Sequence, residues 1–345
     1  MEKMNRKQVK AAEISFVFLL WLSIPVVAQQ KPQYTQYILN QYVLNPALTG
    51  IENYTDIRIS HRNQWAGLSG APQTTYLTAH MPIGKKDYRT TATSAGIPGL
   101  SNNVAYRSAA KPHHGIGIQV VNDESGPLST VNALVTYAYH IGITDKLTLS
   151  AGFGAGINRL NLNVSMLDFN SRETDPVTSN GQYFNSTKPD LSSGLFLYSN
   201  RFFAGISALQ IIPSSLSITE TSVSENQDGL SVPHLFGTAG YRFNLNNDFN
   251  LITSMLIKYV SPAPVSIDAN AKFQYRNLLW VGAGYRLNDG FSGMVGLNIS
   301  PALSLGYSYD SRTASLLSGG VRTHEIVIGF NLGNKYNEGC PGLRW

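Results

Sequence analysis

The chain is short of charge. Asp, Glu, Lys and Arg make up 14% of its 345 residues, against about 25% in ordinary soluble domains. A fold with so little charge keeps much of its surface out of water. Cysteine is nearly missing too. Cys340, in the tail "CPGLRW", is the single thiol, which excludes an internal disulfide and reads most simply as an inert tail residue. Long apolar runs are also lacking. Beyond the first 28 residues, no stretch approaches the roughly 18 apolar residues of a membrane helix.

Signals for catalysis are equally thin. "GFGAG" (152–156) looks like a nucleotide loop, but it lies inside an alternating segment with no helix after it. Its glycines thin the inward face of a strand. "PHH" supplies His113 and His114, which on a strand point to opposite faces and cannot share a metal. "NDESGP" (122–127) lacks the ligand repeat of a calcium loop. No Ser/His/Asp set gathers at one loop rim. The expectation is a protein that is not an enzyme, with no catalytic residues, no cofactor and no metal.

What is present begins with a targeting segment. Lys3, Arg6, Lys7 and Lys10 precede "ISFVFLLWLSIPVV" (14–27), and small residues end it at Ala28. This is the layout of a secretory signal peptide over 1–28. The apolar run, broken by Pro25, is too short to span a bilayer. That segment carries four basic and two acidic residues, so the formal net charge of the mature chain falls from +5 to +3. No nucleic-acid partner is implied.

The mature chain alternates with period two. From Val265, "VSIDANAKFQY" puts Val265, Ile267, Ala269, Ala271, Phe273 and Tyr275 on one face and polar residues on the other. "LTLSAGFGAGIN" from Leu147 and "LSLGYSYD" from Leu303 do the same. Soluble sandwich strands average five or six residues. These runs are longer, as a tilted strand crossing a membrane must be. Tyr198, Phe202, Tyr259, Tyr285 and Phe330 fall near strand ends, where an aromatic girdle belongs. The reading is all-β: an antiparallel transmembrane β-barrel of the outer membrane over 51–332, bounded by outer-membrane lipid. About fourteen strands are counted, the first at 54–60 and the second at 72–82; twelve or sixteen remain compatible. Residues 83–113 stand out as a periplasmic insertion, with an uncounted strand pair as the alternative, and 333–345 form a C-terminal tail.

Two further segments carry weight. In "QQKPQYTQYILNQYVLNPALTG" (29–50), Tyr34, Tyr37, Ile38 and Leu44 share one face of a short helix that Pro46 would end. Such a face needs a partner, which points to a plug under or inside the barrel; a disordered leader is the alternative. "RNQWAGLSGAPQT" (62–74) reads as the turn joining the first two strands at the outer rim. Trp65 suits the membrane interface. Arg62, Asn63 and Gln64 place donors and acceptors beside it. The loop is a landmark of the rim and a candidate contact for a partner. By alternation, Arg58, Lys258, Asp268, Lys272, Arg286 and Glu325 face the lumen, since a basic residue on the lipid face costs about 2–4 kcal/mol near the midplane. They form either an ion-pair network that stiffens the barrel or a polar cavity for a partner segment.

With these stretches in view, the chain resembles the PorP/SprF family of outer-membrane proteins of the type IX secretion system. The resemblance runs from "QYTQYILNQYVLNPALTG" through "SHRNQWAGLSGAPQTTYLTAHMPI", "GIGIQVVNDESGPLSTVNALVTYAYHIGITDKLTLSAG" and "PDLSSGLFLYSNRFFAGIS" to "APVSIDANAKFQYRNLLWVGAGYR" and "THEIVIGFNLG". It departs from the family's compact turn at 84–112. The resemblance implies a non-enzymatic outer-membrane component that works with type IX secretion components. It also implies a part in export or surface anchoring of a large adhesin-type cargo, including those of gliding motility, through the cargo's C-terminal sorting domain. The residues alone leave a general solute channel as the alternative.

Overall fold

A computed structural model describes residues 35–85, 91–94, 98, 111–163, 166, 184–213, 232–287, 289–312 and 322–334. The expected signal peptide, Tyr34 and Cys340 lie outside the described residues. So does most of the 83–113 insertion.

Fourteen antiparallel strands close into one barrel. They are β1 (Thr55–Ala66), β2 (Gln73–Ile83), β3 (His113–Ser125), β4 (Leu128–Thr144), β5 (Leu147–Leu162), β6 (Phe184–Tyr198), β7 (Phe202–Leu209), β8 (His234–Asn244), β9 (Phe249–Val260), β10 (Ser266–Tyr275), β11 (Leu279–Arg286), β12 (Gly290–Ser300), β13 (Leu303–Arg312) and β14 (Arg322–Leu332). Each pairs with its chain neighbours, and β1 pairs with β14 to close the ring, from Thr55↔Leu332 to Arg62↔Glu325. Closure satisfies the backbone of the edge strands, which lipid cannot do.

Alternation decides which face is which. Val135, Ile157, Ile206, Met255 and Val295 point outward and are exposed. Their neighbours Thr136, Ser207, Ser254 and Gly156 point inward. Tyr259, Tyr285 and Phe330 are on the outer face, but Tyr198 is not. Its parity on β6 turns it into the lumen, where its hydroxyl meets His140 Nδ1 at 2.9 Å. The girdle expectation is corrected at that residue. One end of the barrel has tight turns, such as 145–146, 199–201 and 301–302. The other carries the long connections, and by this asymmetry the tight-turn end is periplasmic. The β2–β3 connection is the long exception at the periplasmic end. Its residues Thr91, Ala92 and Ser94 are buried, and Ala92 N–H donates to Ser199 O on the β6–β7 turn.

A lumen ringed by fourteen strands is wider than its own side chains fill. Here the chain's beginning occupies it. Residues 37–51 are almost wholly buried inside the barrel. They fold as three 3-10 turns, Thr35–Ile38, Gln41–Val43 and Pro46–Leu48, not as the single short helix expected. Pro46 opens the third turn and does not end a helix, because a proline at a first helical position loses no hydrogen bond; the Asn45 side chain caps it by accepting from Ala47 N–H. Apolar side chains of this plug meet the wall in four clusters, among them Tyr42, Ala47, Leu48 and Ile51 against Phe196, Tyr198 and Phe203, and Ile38 against Trp280 and Met294.

Inward glycines make room for it. A Cβ on Gly115 would collide with the Thr49 backbone, one on Gly152 with Pro46 and Ala47, and one on Gly194 with the Asn45 amide. At that close range the wall reaches the plug's carbonyls. Ser207 Oγ donates to Leu44 O at 2.5 Å, Ser150 Oγ to Ala47 O at 2.6 Å and His140 Nε2 to Thr49 O at 2.8 Å.

Gly152→Val should therefore cost about 1–3 kcal/mol by overpacking. It should lower the temperature at which the folded band is lost in heat-modifiability gels and open residues 35–51 to protease. Gly293→Ala, on the outer face with nothing within 4 Å of the added Cβ, should shift stability by no more than about 0.5 kcal/mol.

Candidate functional site

The outer rim differs from the expected turn. β1 runs on to Ala66 and β2 begins at Gln73, so Arg62, Asn63, Gln64 and Trp65 sit on a strand end. The physical reason is continued pairing: Arg62 is in register with both Glu325 and Thr74. The β1–β14 register then shifts between Asn63 and Ala66. Trp65 occupies that irregularity with φ of 59°, a left-handed conformation uncommon for a bulky residue. Its N–H reaches Thr323 Oγ1 at 3.4 Å, and its carbonyl accepts from Leu68 N–H.

Arg62 is not a rim contact. It is buried in the lumen and joins two carboxylates, Asp310 Oδ2 at 2.9 Å and Glu325 Oε2 at 3.1 Å. Glu325 is fully enclosed, 0% exposed, and Ser60 Oγ donates to its other oxygen at 3.3 Å. This triad ties β1, β13 and β14 together across the seam that closes the ring. Asn63 and Gln64 are half-buried.

The other lumen candidates divide by depth. Arg58 is bound by Asp56 of its own strand, two residues away on the same face, at 2.9 Å. Asp268 and Arg286 pair across β10 and β11 at 3.0 Å, and Arg286 also holds Asp289 at 2.9 Å. Lys272 lies 5.0 Å from the centroid of the Trp280 ring, a cation–π arrangement. Lys258 is half-buried on the inward face of β9. Outside the strands, Arg276 and Asp248 pair across two periplasmic turns at 2.9 Å. The hydrogen bond from Arg276 holds the Asp248 carboxyl below the usual carboxylate range.

At the outer end some of the lumen charges line a recess of about 440 Å³, open mouth included. It brings together Arg62, Gln64, Asp268 and Arg286 with Tyr37 of the plug. Asp310 and Asp289 also line it. Sequence reading missed both acids, as it missed Asp56 and the buried Arg242. Parity could have found Arg242, since "HLFGTAGYRFN" places it in line with His234, Phe236 and Thr238. Such a recess offers both signs of charge. Among the described residues, no group of three or more His, Cys, Asp or Glu side chains could hold a metal. His113 faces inward, stacked on His140 at 4.4 Å, and His114 faces outward onto Tyr137.

A family model described as the type IX secretion system membrane protein PorP/SprF matches residues 26–330. The chain belongs to that family, and it is an outer-membrane β-barrel. A search of curated protein sequences finds no match. Among solved structures, the Acinetobacter baumannii outer membrane protein Omp33 is 11% identical and aligns over 82% of this chain and 100% of its own, with a TM-score of 0.45. The CymD monoaromatic hydrocarbon channel is 14% identical over 88% of this chain and 93% of its own, with a TM-score of 0.46. The Ralstonia pickettii toluene transporter TbuX is 12% identical over 86% and 93%, with a TM-score of 0.45. Likenesses at this level bear on neither ligand nor activity.

Arg62→Met removes the guanidinium that Asp310 and Glu325 share. Breaking one partner out of a buried ion network costs about 3–5 kcal/mol, so the urea midpoint for loss of the folded barrel should fall sharply. Arg276→Gln, at an exposed pair, should leave that midpoint unchanged.

Proposed function

We propose that this PorP/SprF barrel is required for export or surface anchoring of a large adhesin-type cargo, which it meets through the cargo's C-terminal sorting domain, and that it acts without catalysis. Family membership makes it a type IX secretion component. The observation that supports the finer reading is the filled lumen. Residues 37–51 occupy the space a solute would have to cross, so the barrel is better suited to hold than to conduct. The polar inward faces that would serve a general solute channel are engaged with the plug: Asn40 with Thr78 at 2.9 Å and Tyr42 with Thr136 at 2.6 Å. Among the described residues, what stays open toward the outside is the recess and the rim beside Trp65. Arg62 builds the seam under that rim; the Trp65 ring is the contact surface for cargo.

Deleting the gene should remove a specific large protein from the cell surface while the rest of the surface proteome stays in place. Trp65→Gly isolates the ring, because glycine adopts a positive φ without strain. The complemented strain should assemble a normal heat-modifiable barrel and display several-fold less of that cargo. An unchanged surface proteome in the deletion strain would sink the proposal.

A further inference from the structure

Two buried cations of the lumen make no ion pair within the described residues. Arg242 on β8 and Lys272 on β10 are 8% and 7% exposed. Both are in register with Ile252 of the intervening β9. Their Cα atoms are thus two strand spacings apart, about 10 Å, on either side of the buried Ile252 side chain, and both side chains are long enough to reach past it to one small group. Arg242 Nε and Nη2 are enclosed with no hydrogen-bond partner. The contact of the Lys272 ammonium is the face of Trp280. Asn250, on β9 one inward position nearer the periplasm, is 0% exposed, and neither atom of its amide is hydrogen bonded.

The nearby carboxylates make no hydrogen bond to either cation. Glu52 lies within Coulombic range of Arg242, yet its two oxygens already accept from Ser94 Oγ at 2.8 Å and Thr91 Oγ1 at 3.4 Å. Asp56 holds Arg58 through both of its oxygens. Elsewhere in the lumen, cations have partners: Arg58, Arg62 and Arg286 each sit within 3.1 Å of a carboxylate. Burying a cation with no compensating hydrogen bond is costly. Two such cations on neighbouring inward positions beside an unsatisfied amide donor describe half of a site, and a planar guanidinium fork together with an ammonium suits an oxyanion.

We infer that the periplasmic half of the lumen binds a small oxyanion, a carboxylate or a phosphate, held between Arg242 and Lys272 with the Asn250 amide as a neutral donor. The anion completes the charge balance of the wall beneath the plug. It couples β8, β9 and β10 in the way the Arg62 triad couples β13, β14 and β1. The inference stands apart from the cargo reading, because these residues lie toward the tight-turn end of the barrel and not at the outer rim.

The test uses the full chain, purified from outer membranes in detergent and dialysed into chloride. Inorganic phosphate and acetate are titrated separately by calorimetry at constant ionic strength. Saturable binding of at least one probe is expected, with a rise in melting temperature; the tighter probe identifies the chemistry. Arg242→Gln should weaken that binding about ten- to hundredfold, as loss of a charged hydrogen-bond donor does. Lys272→Met keeps the side-chain volume; it should melt above wild type in chloride, because an uncompensated charge is gone, and should no longer respond to the probe. Heat-modifiability confirms that each variant is folded, and Arg276→Gln should bind as wild type does. Failure of both probes to bind the folded wild-type protein overturns the inference, and so does wild-type binding by folded Lys272→Met.

Discussion

The inward glycines of β3, β5, β6 and β7 set the terms for the whole interior. Where Gly115, Gly152, Gly194 and Gly205 lie, the wall presents bare backbone, and residues 42–50 come close enough that a single added Cβ would strike them. That approach brings Ser150, Ser207 and His140 within hydrogen-bond distance of plug carbonyls. An irregular segment inside a membrane protein needs such partners, since no bulk water is available to its backbone. The apolar clusters follow from the same contact. Tyr42, Leu48 and Phe196 can be core residues of a barrel because the lumen contains chain and not solvent.

The charges arrange themselves around that filling. Toward the outside, Arg62 and Arg286 bind Asp310, Glu325, Asp268 and Asp289 in two compact networks on either side of the recess. Toward the periplasm, among the described residues, Arg242 and Lys272 make no ion pair, and Glu52 acts on Arg242 from a distance. At the periplasmic end the Thr91–Ser94 stretch of the β2–β3 connection is anchored on Glu52 and Ser199. The two ends of one lumen therefore have different chemistry, and among the described residues the recess lies at the outer end.

Much of this was legible in the residues, and the reasons it was legible also explain the misses. Lipid on one side and a polar lumen on the other impose period two on each crossing. Fourteen strands were countable, and the inward parity of Arg58, Asp268, Lys272, Arg286 and Glu325 was readable. The outer end of β1 was not. Past the bilayer an outward side chain no longer needs to be apolar, so the alternation fades while the backbone pairing continues. Arg62 to Trp65 thus read as a turn next to Gly67, Gly70 and Pro72, although Arg62 is among the most deeply buried charges in the protein, 3% exposed. The fold of the plug was hidden for a different reason. Its three 3-10 turns are shaped by the wall around them, and no periodicity of their own records that shape. The partners of each charge were also beyond pattern reading, because they depend on the register of strands far apart in the chain, such as β1 with β13 and β14.

The barrel is filled by residues 37–51 of its own chain. Planar-bilayer recording of the full chain against a variant lacking residues 35–50 tests it most directly. A filled lumen predicts no stable conductance steps for the full chain and clear steps for the deletion variant, provided that both migrate as folded, heat-modifiable barrels. Steps of equal size from both proteins would contradict it.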